Sequence, residues 1–145
     1  MFLGEFRHTI DVKGRLAIPA RFRSGLEEGL VVTRGLDLCL HIYPKSQWLP
    51  LAERLSSLPA NEPAVRVLRR TFFTAAFSSE MDKQGRILIP PALREYAALD
   101  GDVVIAGLNT YIEIWSAKRW EEELPRIESG VSSLAEQLSN LGIVF

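Results

Sequence analysis

The chain is poor in the side chains from which most catalytic and metal centres are built. Its 145 residues include one cysteine, Cys39, and two histidines, His8 and His41. A single cysteine excludes a disulfide within the chain and suits a reducing cytosol. The two histidines are far apart in sequence, and neither has a metal-ligand spacing. Cys39 lies in an apolar run, which favours a core position over a nucleophilic one.

Long apolar segments and catalytic loop motifs are also missing. No apolar run reaches the ~20 residues that cross a membrane, and residues 1–5 do not begin a secretory signal pattern. The sequence has no Gly-rich phosphate loop, no Gly-x-Ser-x-Gly and no His-Glu-x-x-His. We therefore predict that the chain is not an enzyme and that it uses no cofactor and no metal. We also expect it in the cytoplasm.

The net charge of −1 hides an uneven distribution. Hydrophobic residues make up 47% of the chain, enough for one domain or for two small modules that share a core. The charge is +3 over residues 1–23 and +4 over residues 66–94, but −2 over 24–65 and −6 over 95–145. A local basic surface attracts phosphate even on a protein that is neutral overall. The distribution therefore indicates two basic regions that are candidates for nucleic-acid contact.

One motif occurs twice, and it lies in both basic regions. It has the form Asp-x-x-Gly-Arg, followed by three apolar residues and a proline. The motif positions are Asp11, Gly14, Arg15 and Pro19 in the first copy and, 71 residues later, Asp82, Gly85, Arg86 and Pro90 in the second. An internal repeat of this kind decides the architecture.

Local signals around each motif predict the same series of elements in each repeat. Aspartate can accept hydrogen bonds from backbone N–H groups ahead of it, glycine supplies a positive φ, and proline suits the first turn of a helix. Each repeat is expected to run strand, turn, strand, short helix, strand, turn, strand, longer helix. The predicted strands are 5–10, 15–18, 30–34, 38–43, 75–81, 86–89, 102–106 and 111–115, and the predicted helices are 20–24, 47–55, 65–73 and 90–97. The last segment has apolar residues spaced like one face of an amphipathic helix.

Two interpretations compete for the motif arginines. Arg15 and Arg86 could form salt bridges with Asp11 and Asp82 across a hairpin, worth only ~0–1 kcal/mol when exposed. Alternatively, the aspartates hold the arginines in position, and each arginine offers its planar fork to phosphate or to guanine. We favour the second interpretation, because a weak salt bridge is a poor reason for two matched copies.

The remaining candidates fall into two groups. Lys13 and Lys83, in the turns, either contact DNA or are merely solvated. Arg21, Arg23 and Arg94, on the short helices, either contact backbone phosphate or pair with glutamate. We assign structural roles within the motifs to Asp11, Gly14, Pro19, Asp82, Gly85 and Pro90.

The duplicated motif, the proline after each apolar triplet and the chain length resemble the MraZ family, bacterial transcriptional regulators with two SpoVT-AbrB-type modules. The resemblance extends to about residue 124. It implies a mainly β fold with short helices, a pseudo-twofold swapped-hairpin double-split barrel (AbrB-like) formed by two internal repeats, with helices at the C-terminus. The corresponding divisions are 5–48 for the first module, 49–75 for a helical linker, 76–120 for the second module and 121–145 for a helical tail.

The resemblance also implies a function. Members of the family bind short direct repeats in double-stranded DNA upstream of the division and cell-wall operon that contains their own gene. They usually repress it, and they assemble into rings. The DNA-contact motif of the family maps onto residues 11–15 and 82–86, and nucleoid association would follow. The alternative that we keep open is an oligomeric scaffold that acts through protein–protein interaction without DNA.

Overall fold

The computed structural model describes residues 1–143, which form one eight-stranded antiparallel sheet and five α-helices. The strands are β1 (Phe2–Ile10), β2 (Arg15–Ala17), β3 (Leu30–Arg34), β4 (Leu40–Pro44), β5 (Phe77–Ser79), β6 (Arg86–Leu88), β7 (Gly101–Asn109) and β8 (Ile112–Ser116). The helices are α1 (Ala20–Arg23), α2 (Lys45–Ser57), α3 (Pro63–Phe73), α4 (Pro91–Ala97) and α5 (Ala117–Ser139). A 3₁₀ turn, Ser24–Leu26, follows α1.

The strand order shows that the two repeats exchange strands. The order is β5-β3-β4-β8-β7-β1-β2-β6, so that β1 of the first repeat pairs with β7 of the second, and β5 of the second pairs with β3 of the first. The equivalent strands β2 and β6 pair with each other, as do β4 and β8. This arrangement is a nearly closed barrel whose two repeats are related by a pseudo-twofold axis. The predicted swapped-hairpin barrel built from two repeats is confirmed.

Equivalent residues of the two repeats fill the core. Leu16 and Ile87 lie opposite each other in the β2–β6 pair and are at most 1% exposed. Ile18 and Ile89, which precede the prolines, are completely buried. Phe22 of α1 packs edge-on against the rings of Phe2 and Phe6, with centroids 5.3 and 5.2 Å away. The first and third residues of each apolar triplet therefore face the interior of the barrel.

The repeats differ most in their first strands. Strand β1 has nine residues and pairs along its whole length with β7, whereas β5 has three residues and pairs with part of β3. Both β1 and β7 extend beyond their predicted limits, because each supplies the other with a long ladder of backbone hydrogen bonds. Strand β5 is shorter than the predicted 75–81, and it pairs only with the first three residues of β3.

The tail helix begins earlier than its amphipathic pattern indicated. Helix α5 starts at Ala117, directly after β8, and continues through Pro125 to Ser139. Ser116 caps its start by accepting a hydrogen bond from the N–H of Arg119 at 3.1 Å. Among residues 1–143, none of the helices combines the length and the apolar character that a membrane span requires.

Candidate nucleic-acid interface

The carboxylate of Asp11 organises the first motif turn. Its Oδ1 accepts hydrogen bonds from the backbone N–H groups of Lys13 and Arg15, both at 2.9 Å. Its Oδ2 accepts a hydrogen bond from Nε of Arg15 at 2.7 Å. The Gly14 N–H donates to the Asp11 carbonyl at 2.9 Å, and Gly14 has a φ of +84°. One side chain thus shapes the turn and holds the arginine that follows it.

The second turn repeats this geometry almost atom for atom. Asp82 Oδ1 accepts from the N–H groups of Gln84 and Arg86, both at 2.9 Å, and Oδ2 accepts from Nε of Arg86 at 2.8 Å. Gly85 has a φ of +76°. In both turns the hydrogen bond from the arginine N–H does most to lower the pKa of the aspartate carboxyl, and the arginine side chain adds to the effect. Both aspartates are ionised at neutral pH.

The two motif arginines lie on the same outer face of the barrel. In the β2–β6 pair, Arg15 is opposite Leu88 and Arg86 is opposite Ala17, while the residues between them, Leu16 and Ile87, face the core. Such diagonal neighbours in an antiparallel pair are roughly 7–8 Å apart. The side chains of Arg15 and Arg86 are 39% and 32% exposed. The two arginine side chains therefore leave the same face of the strand pair and are partly exposed to solvent.

Each arginine keeps donors available for another molecule. The aspartate occupies only Nε, and no acceptor among residues 1–143 binds the terminal amino groups of Arg15 or Arg86. The salt-bridge and the DNA-contact interpretations of the motif are therefore compatible, because the salt bridge uses one edge of the guanidinium and leaves the rest exposed.

Arg23 and Arg94 have a structural role that neither sequence alternative included. Nε of Arg23 donates to the carbonyl of Ile18 at 2.9 Å, and Nε of Arg94 donates to the carbonyl of Ile89 at 3.0 Å. Each guanidinium also packs against the turn glycine of the other repeat, Arg94 against Gly14 and Arg23 against Gly85. Arg23 and Arg94 thus hold each motif turn against the short helix of the opposite repeat.

Backbone hydrogen bonds reinforce the same exchange. The N–H of Ile18 donates to the Gly85 carbonyl at 2.9 Å, and the N–H of Ile89 donates to the Gly14 carbonyl at 2.8 Å. The prolines that follow, Pro19 and Pro90, stand at the N-cap positions of α1 and α4, just outside the helices. Of these prolines and the neighbouring Pro91, Pro91 is the one that occupies the first turn of a helix. The structural motif residues therefore fix where the two turns sit relative to each other.

The tips of the turns are not equivalent, which the shared motif concealed. The first turn has Val12 and Lys13 where the second has Lys83 and Gln84, so the two lysines occupy different positions. Val12 is 95% exposed, and Lys13 and Lys83 are also exposed. A residue-by-residue alignment of the two motif copies would have revealed this difference from the sequence.

The other basic residues divide into exposed and structural ones. Arg21 on α1 is exposed and forms no ion pair with residues 1–143. Arg69 donates from Nε to the Leu55 carbonyl at 2.9 Å, and Arg66 donates to the Ala60 carbonyl at 3.0 Å. These two arginines stabilise the connection between α2 and α3. Part of the positive charge of residues 66–94 is therefore used inside the fold.

The match to known proteins extends over nearly the whole chain. Residues 1–71 and 72–139 each match the family model described as "MraZ protein, putative antitoxin-like". The chain belongs to the MraZ family. The two matched segments meet between the motif copies, in agreement with the internal repeat seen in the barrel.

Curated MraZ proteins are similar to the chain over their full length. The transcriptional regulator MraZ of Herpetosiphon aurantiacus is 51% identical over 143 residues, covering 99% of this chain and 100% of the relative. That of Roseiflexus castenholzii is 52% identical, covering 97% and 99%, and that of Desulfitobacterium hafniense is 50% identical, covering 99% and 100%. Membership of the MraZ family makes the chain a transcriptional regulator and confirms the prediction that it is not an enzyme.

Proposed function

We propose that the chain binds double-stranded DNA with the outer face of the β2–β6 pair and the two motif turns. The observation that carries this proposal is the placement of Arg15 and Arg86 side by side on one exposed face, each oriented by an aspartate. A guanidinium held in this way presents its donors without a further loss of side-chain entropy. The face is small, about two strands wide, and suits entry of a β-ribbon into a groove.

The unlike turn tips support sequence-specific reading. We assign Arg15 and Arg86 to guanine edges or phosphates, and Lys13, Lys83 and Arg21 to phosphates. Val12 offers an apolar contact of the kind that recognises a thymine methyl group. Arg23 and Arg94 keep their structural bonds through Nε and reach phosphate only with their terminal amino groups. Two different tips on one face would give the bound site a direction, which fits a direct repeat better than a palindrome.

Self-association supplies the affinity that one chain lacks. A single chain offers few phosphate contacts, and neighbouring copies bound to successive repeats raise avidity without new kinds of contact. Exposed apolar residues on α5, Ile127, Val131 and Leu134, support a contact between chains, since they are 47%, 59% and 41% exposed. We propose a ring-shaped homo-oligomer that meets direct repeats spaced about one helical turn (~10 bp) apart.

The biological role follows from the family resemblance. We propose that the chain represses the division and cell-wall gene cluster by binding direct repeats in its own promoter. It would then act in the cytoplasm, in association with the nucleoid. The relatives from Herpetosiphon aurantiacus and Roseiflexus castenholzii are named as transcriptional regulators, which supports the general role.

The DNA-binding face is tested with Arg15→Ala and Arg86→Ala. Fluorescence anisotropy with the upstream region of the gene, at two salt concentrations, should give a loss of about 1–3 kcal/mol for each variant if the arginine contacts a base. If it contacts phosphate, the salt slope should fall by about 1. Arg15→Lys keeps the charge but loses the fork, so that it separates the two kinds of contact.

Arg54→Ala is the matched control. Arg54 is an exposed arginine near the end of α2, and α2 packs on β3, β4 and α3 rather than on the β2–β6 pair. Its removal changes the net charge by the same amount. Unchanged melting temperatures would exclude unfolding as the cause of any loss. If Arg15→Ala and Arg86→Ala bind the DNA as tightly as Arg54→Ala, this interface is wrong.

A further inference from the structure

A cluster of unlike donor side chains lies where β4 and β8 pair, apart from the arginine face. Cys39 and His41 belong to the first repeat and Glu113 to the second, and His41 lies directly opposite Glu113 in the strand register. The thiol, the imidazole nitrogen and the carboxylate oxygen all lie within 4.8 Å of one another. The proposed DNA interface uses none of these groups.

The distances fit the edges of a metal tetrahedron. Cys39 Sγ is 3.6 Å from Glu113 Oε2, and His41 Nε2 is 3.2 Å from the same oxygen. A tetrahedral zinc ion with Zn–S near 2.3 Å and Zn–N and Zn–O near 2.0 Å separates sulfur from oxygen by about 3.5 Å and nitrogen from oxygen by about 3.3 Å. Without a metal, the thiol and the imidazole each donate a hydrogen bond to the carboxylate. A metal ion would replace the two shared protons.

Further hydrogen bonds orient two of the three donors. Nδ1 of His41 is 2.8 Å from the hydroxyl of Tyr43, which leaves Nε2 to face the carboxylate. Trp115 Nε1 donates to Glu113 Oε1 at 3.1 Å, which turns Oε2 towards His41 and Cys39. Metal-bound histidines and carboxylates characteristically have such outer partners, because these fix the tautomer and the direction of the ligand.

A glycine makes room for the cluster. A Cβ atom on Gly35 would lie 2.7 Å from Cys39 Sγ and 2.7 Å from the His41 ring. Glu113 lines a surface groove of about 580 Å³ together with Asp37 and Trp120. Glu113 is the one donor of the three that lines this groove, so an ion and its water ligand would enter past the carboxylate. The buried side of the cluster is apolar, formed by Val104 and Trp115 around Cys39.

We propose that Cys39, His41 and Glu113 bind a zinc ion, with water from the groove completing the coordination. Thiolate, imidazole and carboxylate are all ligand types that Zn²⁺ binds in proteins. Binding releases the thiol proton to solvent, and the imidazole proton moves from Nε2 to Nδ1, where the Tyr43 hydroxyl can accept it. The carboxylate stays ionised, so that the charge of the ion is balanced by two anionic ligands. Because the ligands come from both repeats, the ion cross-links β4 to β8 at the pseudo-twofold axis.

The test uses the full chain without an affinity tag that binds metal. The protein is stripped with a chelator, dialysed against Zn²⁺, freed of excess and analysed by elemental mass spectrometry. The wild type should retain about one zinc ion per chain, and Cys39→Ser and Glu113→Gln should lose most of it. His8→Gln is the matched control, because His8 is the only other histidine and should leave the zinc content unchanged.

Cobalt gives a second readout that does not depend on protein stability. Cys39 is the only cysteine, so a thiolate-to-cobalt charge-transfer band after Co²⁺ loading reports this site alone. Zinc should also raise the melting temperature of the wild type and not that of Glu113→Gln. The proposal is overturned if the folded wild type retains no zinc, or if it retains zinc but Cys39→Ser retains as much and no cobalt–thiolate band appears. DNA binding is measured separately, so that failure here leaves the proposed function untouched.

Discussion

At the scale of single residues, Gly14 illustrates why each motif has a glycine directly before its second strand. Its φ of +84° is a conformation that L side chains rarely adopt. A Cβ atom there would lie 2.6 Å from the Ile89 carbonyl oxygen and 2.8 Å from Arg94 Nε. The glycine is therefore required twice, once for the turn and once for the close approach of the other repeat.

Gly101 meets only the first of these two requirements, the backbone conformation. It also has a positive φ, +77°, but a Cβ atom there would meet nothing within 4 Å. We expect Gly101→Ala to cost about 1–2 kcal/mol from backbone strain. Gly14→Ala should cost about 1–3 kcal/mol more, because the Ile89 backbone must also move. Urea unfolding of both variants measures the difference, and equal midpoints would show that the contact between repeats contributes nothing.

At the scale of elements, each motif turn is a small ionic structure. The aspartate carboxylate accepts two backbone N–H groups and one arginine, and these hydrogen bonds lower the pKa of Asp11 and of Asp82 below the ordinary value of 3.8. A carboxyl whose pKa is lower in the folded state stabilises the fold above its unfolded pKa. That contribution disappears as the pH falls through the lower, folded value.

Acid titration therefore tests the turns. Asp11→Asn and Asp82→Asn remove the carboxylate, so that each variant should unfold at a lower urea concentration than the wild type at about pH 6. The difference in urea midpoint between the wild type and each variant should shrink as the pH is lowered below about 3.8 towards 2, because the wild-type carboxyls then become protonated and lose their charge. A gap that stays constant over this range would mean that the carboxylate charge does not stabilise the turns.

At the scale of the whole molecule, every strand of the barrel has a partner in the other repeat. Strand β1 pairs with β7, β5 with β3, β2 with β6 and β4 with β8. The core residues Leu16 and Ile87 meet only because β2 and β6 come together. The barrel is thus a pseudo-dimer within one chain, and the helices α2 and α3 connect its halves.

A fragment of residues 1–75 tests this dependence. As a monomer it should remain largely unfolded, because β1 and β2 lack their partners from the second repeat. If it folds, it should do so as a homodimer, in which β1 of one copy pairs with β3 of the other, as β5 does in the full chain. Circular dichroism over a range of concentrations measures how much of the fragment is folded, and sedimentation measures whether it is a monomer or a dimer. A folded monomer would contradict the exchange of strands as a condition of stability.

Much of this protein was accessible from the sequence alone. The doubled turn and the short helices after Pro19 and Pro90 were predicted, because their hydrogen bonds join residues two to four positions apart. The strands beside the turns were predicted from their apolar residues, although their hydrogen-bond partners lie in the other repeat. The prediction that Cys39 is a core residue is also confirmed, since it is completely buried. The limits of β1, β5, β7 and α5 were less accurate, because partners elsewhere in the chain determine how far each element extends.

Only the tertiary structure decided which groups meet across the repeats. Arg23 packs on Gly85 and Arg94 on Gly14, although neither pair is close in sequence. Glu113 joins Cys39 and His41 from more than 70 residues away, so that no local spacing could indicate the cluster that we propose as a zinc site. The physical reason is that hydrogen bonds between near neighbours set the shape of each turn. Which residues of the other repeat a turn contacts depends on how the two halves of the core are buried against each other.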